Sequence, residues 1–324
     1  MNNQFENRID LSDLTQKTQA VKTEIAKYLV GQPQLVDFLL IALLADGHVL
    51  IEGVPGVAKT LTAKLLAKTI DAEFKRIQFT PDLMPSDIIG TSIFNAKNSD
   101  FEFKRGPLFA NIVLTDEINR SPAKTQAALF EAMEERQITV DGVTYKLDLP
   151  FMVLATQNPI EHEGTYRLPE AQLDRFLFKI NVGYPSLEDE SSMLTNFHNN
   201  TSTIDLSTIN KVLNKDGILE LKKLVGKIVV EDNLIKYITQ IVNSTRKNPS
   251  LFLGASPRAS IAILNSSKAH ACLQNRDFVT PEDIKYVCFP VLRHRIMLTP
   301  EREMEGIQVD VVIQQIIDKV EVPR

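Results

Sequence analysis

The sequence predicts an α/β protein: a parallel five-stranded sheet flanked by helices, followed by a smaller all-helical domain. Three observations predict it. Apolar runs of strand length alternate with helical spacing through the first half of the chain. A glycine loop, GVPGVAKT, joins the first such run to a helix. Past about Pro185 the strand signals stop while helix-start signals continue.

The elements follow in order. Residues 1–32 read as a polar lead and one helix, and a second helix runs from about Pro33 to Ala45. HVLIEG (48–53) is short and apolar and reads as a buried strand. Behind the glycine loop, LTAKLLAKTI has helical spacing through Leu61, Leu65 and Leu66. Four more strands are expected at FKRIQFT (74–80), NIVLTDE (111–117), PFMVLATQN (150–158) and FLFKINVG (176–183). SPAKTQAALFEAMEE (121–135) is the clearest helix. Ser121 can cap it, Pro122 suits the first helical position, and Ala128, Leu129 and Met133 form an apolar face.

Two insertions interrupt this rhythm. FNAKNSDFEFKRG (94–106) reads as a small hairpin or strand–loop, and RQITVDGVTYKLDL (136–149) alternates around the turn signal Asp141-Gly142. Beyond Pro185, the segments LEDESSMLTNFHNN, VEDNLIKYITQIVNSTRK, SPRASIAILNSSKAHACL and TPEDIKYVCFPVLRHRI all read as helices. Ser256-Pro257 and Thr280-Pro281 are helix starts, and Asp283 completes a box-like opening. The expected domains are 1–184 and 185–324.

Composition limits the function classes. The chain of 324 residues is 44% hydrophobic and 24% charged, as in an ordinary soluble globular protein. With 36 basic and 41 acidic residues its formal charge is −5, which does not favour a general nucleic-acid coat. Cys272 and Cys288 form no disulfide or metal framework. His48, His162, His198, His270 and His294 are scattered without ligand spacing. The start, MNNQFENRIDLSD, has no apolar signal region, and the longest early apolar run, Phe38 to Ala45, is too short for a membrane span. A cytoplasmic location is the expectation.

The glycine loop opens the chemistry. A phosphate loop points backbone N–H groups inward and abuts a helix N-terminus. The candidate nucleotide-binding residues are Gly53, Val54, Pro55, Gly56, Val57, Ala58, Lys59, Thr60 and Leu61. The strict pattern requires glycine where Ala58 stands; alanine is acceptable there if the position is already helical. Lys59 would reach the β- and γ-phosphates, and Thr60 would offer its hydroxyl to Mg2+.

Asp116 and Glu117 end an apolar strand. Asp116 can hold magnesium through water, and Glu117 can act as general base on the attacking water; the plain alternative is an acidic turn. Asn158 ends another strand and can orient the lytic water, although Asn-Pro is also an ordinary turn. Arg175 can serve as an arginine finger or simply as a cation at a helix C-terminus. Arg258 lies near a helix start, where the dipole disfavours a cation, which points to an anionic partner. Lys97, Lys104 and Arg105 read either as a solvated loop face or as a basic pore.

Together these residues resemble the AAA+ ATPases over nearly the whole chain. Within them, GVPGVAKT, LTDEINRSPAKTQAALFEAMEERQITVDG, ATQNPIEHEGTYRLPEAQLDRF and GASPRA are very similar to the motifs of the MoxR family, where alanine before the lysine belongs to the pattern. The resemblance implies a P-loop core with a helical lid. It makes Lys59 and Thr60 the Walker A pair, Asp116 and Glu117 Walker B, Asn158 sensor 1, Arg175 the finger and Arg258 sensor 2, acting on its own or a neighbour's nucleotide. YLVGQ (28–32) would line the adenine pocket through Val30 and Gly31. Arg120 and Arg167 are further candidates for interface arginines, with a plain surface role as the bland alternative. The two insertions fall where the helix-2 insert and the pre-sensor-1 hairpin occur. The implied cofactors are ATP and Mg2+. The implied partners are further copies in a hexameric ring and a protein client, for example one with a von Willebrand A domain. A nucleic-acid motor and a nucleotide-switched scaffold without turnover are the alternatives.

Overall fold

A computed structural model describes residues 10–159, 166, 168–199 and 208–323. His162 and Arg167 lie outside the described residues. Two helices lead the chain, α1 (Ser12–Ala26) and α2 (Pro33–Leu44). Then β1 (Val49–Gly53), α3 (Lys59–Thr69) and β2 (Phe74–Gln78) form the first strand–helix–strand unit. A short helix α4 (Pro85–Ile89) precedes an antiparallel hairpin, β3 (Gly90–Asn95) and β4 (Asp100–Arg105). Next come β5 (Ile112–Asp116) and α5 (Ala123–Glu135). A second hairpin follows, β6 (Gln137–Val140) and β7 (Val143–Lys146), and then β8 (Met152–Gln157), α6 (Glu170–Leu173) and β9 (Phe178–Val182).

The five expected strands form one sheet in the order β2-β5-β8-β1-β9. Every pairing in it is parallel. Both faces of a parallel sheet are covered, so the central strands β1, β5 and β8 are largely apolar, while the edge strands β2 and β9 carry charged and polar residues as well. Alternate residues serve different faces. Val49, Ile51, Leu114 and Phe178 pack with α1 to α3 and with the C-terminal helices. Leu50, Val113, Val153 and Phe176 pack with Leu129, Phe130 and Met133 of α5. Parallel pairing brings the C-terminal ends of β1, β5 and β8 to one end of the sheet, where ligands of open α/β sheets bind.

The C-terminal part contains α7 (Leu187–Asn199), α8 (Lys215–Gly226), α9 (Asp232–Arg246), β10 (Leu251–Leu253), α10 (Pro257–Leu273), α11 (Pro281–Leu292), β11 (Met297–Leu298), α12 (Pro300–Met304) and α13 (Val309–Lys319). It departs from the all-helical expectation in one ribbon, β10 paired antiparallel with β11. Runs of three and two residues are too short to show alternation in the sequence. The opening of α11 is a true capping box: Thr280 and Asp283 bond each other's backbone N–H reciprocally. Ser121 does not cap α5; Pro122 takes the cap position and the Ser121 side chain is buried. The first insertion hairpin starts at Gly90, ahead of the expected 94, because Gly90 at φ 106° makes the turn out of α4.

Candidate active site

The glycine loop joins β1 to α3. Val57 is buried and anchors it, while Pro55 and Gly56 are exposed. Gly56 has φ 89° and Ala58 has φ 58°, ψ 22°, immediately before α3. Ala58 is therefore left-handed, not helical, and the helical rationale for tolerating alanine is wrong. The residue adopts a glycine-type conformation despite its Cβ, at a cost of about 1–2 kcal/mol. Such strain persists where the surroundings over-determine the backbone.

Lys59 heads α3, and its Nζ donates to the carbonyl of Gly53 at 2.7 Å. Partial burial pulls its pKa down, and the charges of Asp116, Glu117 and Glu52 oppose that shift. The Thr60 hydroxyl donates to Asp116 Oδ2 at 3.5 Å. Asp116 ends β5 in a buried position. Its Oδ1 accepts from the Thr156 hydroxyl at 2.6 Å, and its Oδ2 also accepts from Arg76 Nε at 2.9 Å. Glu117 is left-handed, with φ 56° and ψ 52°. Its N–H donates to the Thr156 hydroxyl at 3.0 Å, and its Oε2 accepts from Gln78 Nε2 at 2.8 Å. Arg120 Nε lies 3.1 Å from the same oxygen. Asn158 directly follows β8 and is half-buried.

The expected adenine segment closes one side. Gly31 has φ 77°, and a Cβ on it would meet the Asp189 side chain of α7 at 2.9 Å. Gln32 Nε2 donates to the carbonyl of Gly183 at 3.5 Å, and a Cβ on Gly53 would meet the neighbouring carbonyl of Val182. Gln32, Gly53 and Val182 thus belong to one wall, with Val30 and Gly31 just before Gln32 in the chain.

The two remaining arginines lie elsewhere. Arg175 precedes β9, and Leu177 N–H bonds the carbonyl of His48, at the start of β1. Arg175 is thus at the opposite end of the sheet from the loop, a strand length of about 16 Å away at ~3.3 Å per residue. Its Nη1 donates to the carbonyl of Phe130 at 2.8 Å, and its Nη2 is 2.9 Å from Glu134 Oε2. Arg258, in the first turn of α10, reaches Oε1 of the same Glu134 at 2.7 Å. The structure joins Lys59, Thr60, Asp116, Glu117 and Asn158 at one end, and Arg175 with Arg258 at the other.

Sequence reasoning missed Gln78, Arg76, Thr156 and Glu134. Thr156 stands two residues before Asn158, a weak signal; the others carried none.

The donor set fits magnesium. Among the described residues no group of three His, Cys, Asp or Glu side chains could hold a metal alone. Thr60 Oγ1 and Asp116 Oδ2 offer hard oxygen ligands beside a phosphate loop, the manner in which Mg2+ is held with a nucleotide. Among the described residues no helix is long and apolar enough to cross a membrane.

Comparison with known proteins agrees with this geometry. The family model described as "ATPase family associated with various cellular activities (AAA)" matches residues 48–178, and the "AAA lid domain" matches residues 243–316. "Chaperone MoxR1" of Mycobacterium tuberculosis is 44% identical, over 93% of this chain and 81% of that protein. YeaC of Bacillus subtilis is 50% identical, over 92% of each. The crystal structure of a putative ATPase from Cytophaga hutchinsonii superposes with a TM-score of 0.89 at 45% identity, covering 96% of this chain and 97% of that one. With likeness of this extent carried on a phosphate loop, an acidic strand end and a lid, the chain belongs to the MoxR family of AAA+ ATPases.

Proposed function

We propose that this ATPase turns over Mg2+-bound ATP at sites shared between neighbouring copies, and that it uses the energy to remodel a protein client. One observation carries the reading: Arg175 and Arg258 lie at the far end of the sheet from their own loop, so a complete site needs two copies. In each site Lys59 would neutralise the β- and γ-phosphates, and Thr60 and Asp116, the latter through water, would hold Mg2+, which would supply further charge neutralisation. Glu117 takes the proton of the attacking water on its carboxylate. Asn158 orients that water. Arg175 and Arg258 of the neighbour stabilise charge developing on the γ-phosphate. On this reading Arg258 serves the neighbour's nucleotide.

Head-to-tail contacts of this kind close into a ring where the rotation between copies allows it, and a hexamer is the ring we propose. The core is 1–184 and the helical lid 185–324, in a cytoplasmic protein. The two hairpins expose Ile93, Phe94, Phe101 and Val143, a surface suited to apolar segments of a client. A partner bearing a von Willebrand A domain is the client class the family suggests. The mycobacterial relative is itself named a chaperone.

The test is steady-state phosphate release against protein concentration, for wild type and Arg175→Ala. Specific activity should rise with concentration, and Arg175→Ala should lose 10³-fold or more, roughly the worth of an arginine finger, while still binding ATP. Flat activity, indifferent to Arg175, removes the shared-site reading.

A further inference from the structure

We infer that Glu134 is a positioning residue: one carboxylate that holds Arg175 and Arg258 convergent on the point where a neighbouring copy's γ-phosphate arrives. The inference rests on the shared-site reading above.

The geometry is specific. Each arginine uses a different oxygen, Arg175 Nη2 on Oε2 at 2.9 Å and Arg258 Nη2 on Oε1 at 2.7 Å. Phe130 and Glu134 lie one turn apart on α5, so one helix face fixes Arg175 through a carbonyl and a carboxylate together. The guanidinium of Arg175 also lies 6.0 Å from the Phe130 ring centroid. Arg258 comes from a different element, the first turn of α10, where the helix dipole repels a cation. Two guanidinium groups brought to one place repel each other, and a shared carboxylate cancels that repulsion.

The strength of the contact separates positioning from locking. The side chains of Arg175, Glu134 and Arg258 remain 31%, 36% and 52% exposed. Pairs so exposed are weak and screened by salt. A phosphate carries more charge and accepts bidentate bonds from arginine, so it displaces the carboxylate. What Glu134 provides is order in advance. Arginine has many rotamers, and fixing two of them during the encounter of copies slows assembly of the site. Asp174, next to Arg175, is tied to the same lid. Its Oδ2 accepts from the Ser256 hydroxyl at 2.9 Å and its Oδ1 from Arg295 Nε at 2.7 Å, so the backbones carrying both arginines are already fixed. Glu134 fixes their side chains.

The experiment compares wild type, Glu134→Gln, Glu134→Asp, Arg175→Ala and the Glu134→Gln/Arg175→Ala double variant. Phosphate release is measured at saturating ATP across protein concentration, with binding of a fluorescent ATP analogue and thermal unfolding alongside. Glu134→Gln should lower turnover about ten-fold, with analogue affinity and unfolding temperature unchanged. Glu134→Asp keeps the charge but shortens the reach and should fall between. The double variant should lose less than the two single losses combined, since the part of the role of Glu134 that runs through Arg175 is already gone and only its hold on Arg258 is left to lose. Wild-type turnover by Glu134→Gln, beside an inactive Arg175→Ala, sinks this inference and leaves the shared site standing. Faster turnover makes Glu134 a restraint, not a positioning residue, and also overturns it. Fully additive losses in the double variant place its role outside Arg175 and overturn the shared hold on the two arginines. An active Arg175→Ala removes the shared-site reading itself.

Discussion

Ala58 shows how far one backbone angle can decide. A right-handed helical position ranks valine above glycine, because glycine costs about 1 kcal/mol against alanine and valine roughly half that. A left-handed position reverses the order. Glycine relieves about 1–2 kcal/mol of strain and gives back a similar sum in chain entropy and a lost methyl contact. A β-branched residue becomes a steric outlier there. With φ at 58°, Ala58→Gly should change stability by less than about 1 kcal/mol, while Ala58→Val should cost about 2 kcal/mol or more and weaken nucleotide binding. Urea unfolding and nucleotide titration of the two variants check this, and a variant order with valine the milder change refutes it. The same residue marks the limit of sequence reading. Lys59, Thr60, Asp116 and Glu117 were legible because each belongs to a contiguous motif at a strand end. The handedness of Ala58 was not, since residue identity argues against it. Gln78, Thr156 and Glu134 were hidden because their contacts arise from strand register and helix packing between distant segments.

At the scale of elements, the three central strands were legible because parallel strands buried on both faces are largely apolar, and the edge strands β2 and β9 by their place in the alternation of strands and helices. The β10–β11 ribbon was not, being set by packing rather than by its own few residues. The junction of α10 and α11 was only half legible. Thr280 and Asp283 announced a capping box, but nothing announced that Asp283 is fully buried and shared. Its Oδ2 accepts from Thr280 N–H and Arg276 Nη1, both at 2.7 Å, and its Oδ1 accepts from His270 Nδ1 at 2.6 Å. Burial works against the ionised carboxyl, but the bonds from His270, Arg276 and Thr280 win and hold its pKa well below the usual range. Asp283→Ala leaves Arg276 and His270 facing each other without their anion. It should cost about 3–5 kcal/mol, the range for breaking a buried pair. A loss under about 1 kcal/mol in denaturant unfolding would show that the carboxylate adds nothing beyond its burial cost.

For the whole molecule, acid is the weak side. His48 and His294 are fully enclosed, and burial followed by nearby arginine charge pushes both pKa values well below the ordinary 6.5. His48 bridges two elements as a neutral ring: Nδ1 accepts from Val153 N–H at 2.9 Å and Nε2 donates to the Met133 carbonyl at 3.1 Å. His294 Nε2 donates to the carbonyl of Phe176 at 2.9 Å. The unfolded chain takes up protons on both from about pH 6.5 downward while the folded chain refuses them, so stability falls as the pH drops through that region. Each histidine contributes at most about 1.4 kcal/mol per pH unit. The urea midpoint should therefore fall from pH 7.5 to 5.5; an unchanged midpoint means that the folded protein protonates them. Protein association should show a different count altogether. On the proposed shared site, the loop and the arginine pair act at opposite ends of each copy as a socket and a plug. In an open arc the first plug and the last socket stay idle, so complete sites number one fewer than copies. Closing the ring adds a site without adding a molecule, and the relative gain is greatest for the smallest ring that can close.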